Sequence, residues 1–407
     1  MFQHLSEWVF DSRWDRLFFI KLLVRLFRKN WFFYDIKEIF DNLISFALKL
    51  SGEVYFTKYT YQGGYAMKKK LSLWFVSIFA AGSVLAACGG GADETPDTGA
   101  GEDTDTPEIA EDFRTDLQLG TGSTGGTYYP LGQEMANIMN EHVEFEGFNV
   151  SAVSSGASVD NLAQISRGEM QLGMSVHLPA LDAYNGEGEF DGLPVENFGF
   201  IGHIYPEVMQ VLTTEGTGIT SISELEGKRV AIGPPGSGTQ AAAKLILAAY
   251  GIEDGDYQAF EEGFGDAAGR LQDGNLDASF GLLGLPAGSV TELALQRDVV
   301  ILPVDGEALA YVEENSGYAH LEIPADAYEF LDAPVSTITA YAILVGSTSQ
   351  ISEDLGYEIT KGLYENAAQV THAQGAHMTM DNVLNGSEGL PFHPGAERYF
   401  KEIGLID

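Results

Sequence analysis

The segment Leu119-Gly120-Thr121-Gly122-Ser123-Thr124-Gly125-Gly126-Thr127-Tyr128-Tyr129-Pro130-Leu131-Gly132 begins apolar, turns glycine-rich and ends in residues that suit a helix. Just before it, 116–119 alternates polar and apolar residues as a strand does, and a helix is expected over 129–142. A glycine loop between strand and helix lets backbone come close to a ligand and presents the N–H groups of the helix start. The arrangement returns farther on: a strand over 229–232 opens on Gly233-Pro234-Pro235-Gly236-Ser237-Gly238-Thr239, ahead of a helix over 240–250. Between and beyond these units, strands are expected over 148–153, 170–176, 277–280 and 299–302, with a helix over 158–167. Strands alternating with helices predict an α/β architecture with largely parallel sheets. Two strand–glycine-loop–helix units predict two similar lobes, and no short-period repeat is visible.

In such sheets ligands gather at the carboxyl ends of the strands, where both loops lie. A helix N-terminus suits a carboxylate or phosphate, and Ser123, Thr124, Thr127, Ser237 and Thr239 add hydroxyl donors. Either loop alone is also met by a plain turn with a helix cap. The pair together points to binding.

Enzyme readings fare worse. Gly120-Thr121-Gly122-Ser123-Thr124-Gly125 satisfies the dinucleotide spacing G-x-G-x-x-G, a weak signal by itself. Gly233 and Gly238 have phosphate-loop spacing, but Thr239 and Gln240 stand where Lys and Ser or Thr are needed. No nucleophile elbow surrounds Ser123, Ser155 or Ser237. His372 and His377, five apart on an expected helix, point about 140° away from one another and share no metal. No catalytic residue, metal site or cofactor is expected.

The 407-residue chain carries a net charge of -37, unevenly spread. Residues 1–87 hold 12 basic against 7 acidic groups, and the remainder 10 against 52. So acidic a body repels nucleic acid and anionic headgroups, and stays soluble in brine or at alkaline pH. The single cysteine, Cys88, rules out intrachain disulfides.

Cys88 closes a distinctive run. Met67 is followed by Lys68, Lys69 and Lys70, then by an apolar stretch ending in Leu85-Ala86-Ala87-Cys88. A basic start, a short apolar core and small residues at the cut describe a secretory signal over 67–87. The ending resembles the bacterial lipobox, which implies a lipidated Cys88 as the mature N-terminus, anchored in the bilayer at the extracytoplasmic face. Residues 88–113 offer little to bury and read as a disordered acidic tether. Residues 1–66 hold 18 of the 46 aromatic residues and precede the signal. Gln62-Gly63-Gly64 can be encoded by CAA GGA GGN, a ribosome-binding sequence, so a start codon placed too early is expected, the competing reading being an amphipathic membrane-surface segment.

Four stretches carry a family likeness. The opening segment 119–132, Ser155-Gly156-Ala157-Ser158-Val159-Asp160-Asn161-Leu162, Glu226-Gly227-Lys228-Arg229-Val230 with the second glycine loop, and His393-Pro394-Gly395-Ala396-Glu397-Arg398-Tyr399-Phe400 resemble the TAXI family. These are solute receptors of tripartite ATP-independent periplasmic (TRAP) transporters. The resemblance runs from about Asp116 to the end and implies a type II periplasmic-binding-protein fold, two α/β lobes closing on a ligand. It implies lobe 1 at 114–206 and 340–407 and lobe 2 at 207–339, the chain crossing near 205–211 and returning near 339–345. It further implies a monomeric receptor delivering small organic anions, glutamate-like amino acids or dicarboxylates, to an ion-driven permease. Carried onto this chain, the ligand site is Gly122, Ser123, Thr124, Thr127, Tyr128, Ser155, Ser158, His177, Tyr205, Gly236, Ser237, Gly238 and Thr239. His177 departs from the family, which has Gln at that strand end. The runner-up is an exported hydrolase or sensor input domain of the same shape, and a surface adhesin comes third.

Overall fold

The computed structural model describes residues 113–407. The expected early-start extension, the signal, Cys88 and all but the end of the tether lie outside the described residues.

The chain first lays down β1 (Asp116–Gly120), α1 (Tyr128–His142), β2 (Asn149–Val153), α2 (Ser158–Ser166), β3 (Leu172–Val176) and α3 (His177–Asn185). β1 pairs in parallel with β2 on one side and β3 on the other. All of β3 is buried, as befits a strand covered on both faces. α1 docks through Leu131, Met135, Ile138 and Met139, the spacing of one helical face. Each such side chain contributes roughly 1.5–3 kcal/mol by leaving water.

β4 (Phe198–Thr214) then runs for 17 residues out of this half. It is followed by β5 (Arg229–Ala231), α4 (Gly238–Ala249), β6 (Gln258–Phe260), α5 (Phe264–Gln272), β7 (Ala278–Leu283), α6 (Gly288–Ala294), β8 (Val299–Leu302), α7 (Gly306–Asn315) and β9 (Ala319–Ile323). A second long strand, β10 (Val335–Ser347), returns to the first half, and α8 (Glu353–Glu365) and α9 (Pro394–Glu402) finish it. β10 lies antiparallel to β4 from Thr339 opposite Val208 to Ser347 opposite Phe198, with register shifts that pass over Ile204 and Ile201.

One strand order appears twice in the sheet. The first half reads β2-β1-β3-β10-β4 and the second β6-β5-β7-β4-β8. In each, three parallel strands meet one antiparallel strand, and beyond it a strand parallel to the first three. This is the two-lobed type II periplasmic-binding-protein architecture. β10 is the antiparallel strand of the first half and β4 that of the second, so each long strand serves both. The first lobe has a single large core. The second has an apolar cluster on each face of its sheet, with α4 and α7 on one side and α5 and α6 on the other.

One local expectation fails. His372 and His377 do not share an α-helix: Ala373–His377 is a 3-10 turn whose cap is His372, its Nδ1 accepting from Gln374 N at 3.2 Å. The ring is spent on closing a turn.

Candidate functional site

The first glycine loop leaves β1 and enters α1, and the second leaves β5 and enters α4. Thr121 anchors the first, donating through its backbone N–H and its hydroxyl to Val153 O. Asn161, fully buried on α2, donates through Nδ2 to Gly120 O, Thr121 O and Met174 O at 3.1, 2.9 and 2.8 Å. It ties the ends of β1 and β3 together beneath the loop. In the second loop Gly233 and Gly236 have φ of +91° and +75°, a conformation few other residues adopt without strain.

The two loops, one per lobe, line one cavity, and each is held by the opposite lobe. The N-terminus of α2 gives the Val159 and Asp160 N–H groups to Gly236 O, at 2.9 and 3.3 Å. Gly284 N donates to Thr127 Oγ1 at 2.9 Å, and Gln374 Nε2 to Leu285 O at 3.1 Å. At Gly125 the chain packs so closely on Gly265 that an added Cβ would lie 2.4 Å from Gly265 N. The lobes are therefore closed on one another.

Between the loops lies a cavity of about 30 Å³. Of the residues singled out in the sequence, Gly122, Ser123, Thr127, Tyr128, Ser158, Tyr205, Ser237, Gly238 and Thr239 line it. Ser155 and Gly236 belong to the collar around it: Ser155 Oγ accepts from Ala157 N, and Gly236 O receives the α2 N-terminus. Thr124 faces a larger cavity of about 380 Å³ on the other side of the first loop, walled by α5 and α6. That cavity has only the first loop on its wall, whereas the smaller one gathers both. His177 lines neither. Its Nδ1 accepts from Tyr341 N at 3.1 Å, and burial pushes the ring down to about 4, so it stays neutral.

The hydroxyls of the small cavity divide by what they already do. Thr127 Oγ1 accepts from Gly284 N, Ser158 Oγ from Val176 N, and Thr239 Oγ1 from Leu282 N, at 2.9, 3.0 and 3.0 Å. Each keeps its own proton to donate. Ser237 differs: it donates to Pro234 O at 2.7 Å and accepts from Gln240 N at 3.1 Å, as the cap of α4. Ser123 Oγ is buried with no hydrogen-bond partner.

Sequence reasoning missed Glu207, which also lines the cavity and is 2 % exposed. Burial pushes its carboxyl up to about 8, the Tyr128 hydroxyl at its side pulling the other way through a hydrogen bond. Burial first, and then the charge of Glu207, raise the Tyr128 and Tyr205 hydroxyls well above the usual tyrosine value. The remaining new members of the wall are apolar or small, among them Val176, Phe264, Leu282 and Leu283. No Lys or Arg is on it. Arg270 instead pairs with Glu262 at 3.2 Å and lies over the Phe260 ring, and Arg297 Nε donates to Gln272 O. Among the described residues no cluster of His, Cys, Asp and Glu is placed to hold a metal ion. Among them, too, no helix is long and apolar enough to cross a membrane.

The model of the NMT1-like family matches residues 119–404, which takes in both loops and nearly the whole described chain. The chain belongs to the NMT1-like family. This NMT1-like chain is also similar to solved structures of binding proteins. One is the alkanesulfonate-binding protein SsuA from Xanthomonas axonopodis pv. citri bound to MOPS, 16% identical, with a TM-score of 0.41 over 71% of this chain and 84% of that one. Another is PhnD1 from Prochlorococcus marinus in complex with methylphosphonate, 11% identical, with a TM-score of 0.44 over 72% of this chain and 99% of that one. A third is an ancestral arginine-binding protein bound to arginine, 14% identical, with a TM-score of 0.39 over 65% and 97%.

Proposed function

We propose that the protein is the solute receptor of a TRAP transporter of the TAXI kind, working as a monomer at the outer face of the membrane and held there by lipid on Cys88. It captures a small organic anion, a glutamate-like amino acid or a dicarboxylate, and delivers it to an ion-driven permease. It is a binding protein, not an enzyme. The observation that carries this reading is that two glycine loops, one per lobe, line a buried cavity whose hydroxyls hold protons ready to donate. The one acid lining that cavity is Glu207, and no His, Cys or Lys stands beside it to complete a nucleophile and base pair. Resemblance of the four sequence stretches to the TAXI family supplies the transporter type, and the Leu85-Ala86-Ala87-Cys88 run supplies the anchor.

Pockets for small organic ligands usually measure roughly 300 Å³ or more. A cavity of about 30 Å³ holds little beyond a water, so capture requires the lobes to part and reclose more widely around the ligand. The test is a thermal-shift screen over amino acids and C4 to C6 acids. A ligand present at a hundred times its dissociation constant adds about 2.7 kcal/mol of stability. A screen in which no such solute raises the melting temperature, while a sulfonate or phosphonate does, removes the proposed ligand class.

A further inference from the structure

Glu207 is the one acidic residue of β4, in a strand otherwise built of apolar and uncharged side chains with His203. It is buried, it lines the cavity, and its Oε1 has no hydrogen-bond partner. Beside it the Tyr128 and Tyr205 rings meet edge to face, 6.1 Å between centroids, and Phe264 closes the same wall. A carboxyl group among aromatic rings, one oxygen unpaired and no Lys or Arg on the cavity wall, is a setting that attracts a positive charge. The rest of the polar wall is of the opposite kind. Thr127, Ser158 and Thr239 have protons to give, and the α2 and α4 helices begin there. The cavity thus combines one acceptor of cations with a set of donors for anions.

We propose that Glu207 receives the protonated amino group of the ligand, so that the cleft takes an α-amino acid as its zwitterion in preference to a dicarboxylate or 2-oxo acid of the same skeleton. The inference rests on the reading of this cavity as the solute site. Burial holds the free carboxyl up to about 8, and a cation beside it favours the ionised form. Amino-acid binding below that pH therefore expels a proton from Glu207. Affinity climbs as pH rises toward 8, by at most about tenfold per unit, and then levels off. The other titratable groups facing Glu207 are Tyr128 on α1, Tyr205 on its own strand, and Tyr318 just ahead of β9. All three are raised by burial and keep their protons across this range.

Calorimetry on the purified protein with matched solutes tests this: L-glutamate against glutarate and 2-oxoglutarate, L-aspartate against succinate. The expected result is binding of an amino acid, with its deaminated counterpart weaker by at least about tenfold. Glu207→Gln weakens the amino acid by about tenfold to a hundredfold and leaves the counterpart unchanged or tighter. Paired buffers of different ionisation enthalpy report a released proton, and affinity increases from pH 6 to pH 8. Should the glutamine variant unfold, the matched solutes and the proton count on the unaltered protein decide alone. Equal or tighter binding of the deaminated acids, or affinity that falls as pH rises, makes Glu207 an O–H donor to a carboxylate and overturns the proposal. So does a failure of every amino acid to bind. Thr239→Ala separates the two readings: binding weakened by Thr239→Ala but indifferent to Glu207→Gln keeps the cleft and discards the amino-group contact. Binding indifferent to both places the solute elsewhere.

Discussion

Ser237 and Thr239 stand two residues apart at the entrance to α4, and their hydroxyls do different work. Ser237 has given its proton to Pro234 O and serves as a cap. Thr239 supports Leu282 N and keeps its proton for the cavity. Ser237→Ala should cost about 1 kcal/mol of stability, the usual worth of a cap, with affinity little changed. Thr239→Ala should weaken binding by about tenfold or more, since a hydrogen bond to a charged group contributes roughly 1.5–3 kcal/mol. Chemical denaturation and calorimetry on the two variants read both quantities, and equal effects on affinity would contradict the division. Both residues stand out in the sequence as hydroxyls on a glycine loop. Nothing in their spacing separates cap from donor, because the choice depends on where Pro234 O turns. Glu207 was illegible for another reason. The stretch 205–211 reads as an apolar hinge strand, and one acid in such a strand faces water as often as a cavity. Here β4 is covered on both faces, and that covering makes the carboxyl a cavity group.

Elements were more legible than their ends. The strand–loop–helix units appear where the alternation of apolar residues placed them, because that pattern records which face is buried. α4 begins at Gly238, earlier than expected, since the Ser237 cap lets glycine enter the first turn. The long strands were seen only in part: 205–211 and 339–345 are the middles of β4 and β10, whose full length comes from pairing with a different partner in each lobe. α2 shows how an element is fastened by one side chain. Asn161→Ala leaves three buried carbonyls without their donor. A buried group left unpaired costs about 1–3 kcal/mol, so a loss of at least about 2 kcal/mol is expected in denaturant titration. The same variant loosens the first loop over α2, and ligand affinity falls with it. A loss below half that size would mean that packing alone seats α2.

Across the whole molecule, closure depends on glycines where the lobes touch. Gly125→Ala would set a Cβ 2.4 Å from Gly265 N, a backbone atom that cannot swing aside. The variant should fold normally, show a larger radius of gyration by small-angle scattering, and bind more weakly. If the closed state becomes ten times rarer, affinity falls about tenfold. An unchanged scattering profile would show that the lobes need no contact at Gly125 to close. The repeated strand order has another consequence, for the timing of synthesis. β10 is inserted between β3 and β4, yet it is made only after all the elements from β5 to β9. A chain made from its N-terminus cannot finish its first lobe until the second has been made, because an inner strand of the first lobe's sheet arrives after it. For a receptor proposed to leave the cell, this delay is useful: a chain that cannot fold early is still thread-like when it meets the export channel.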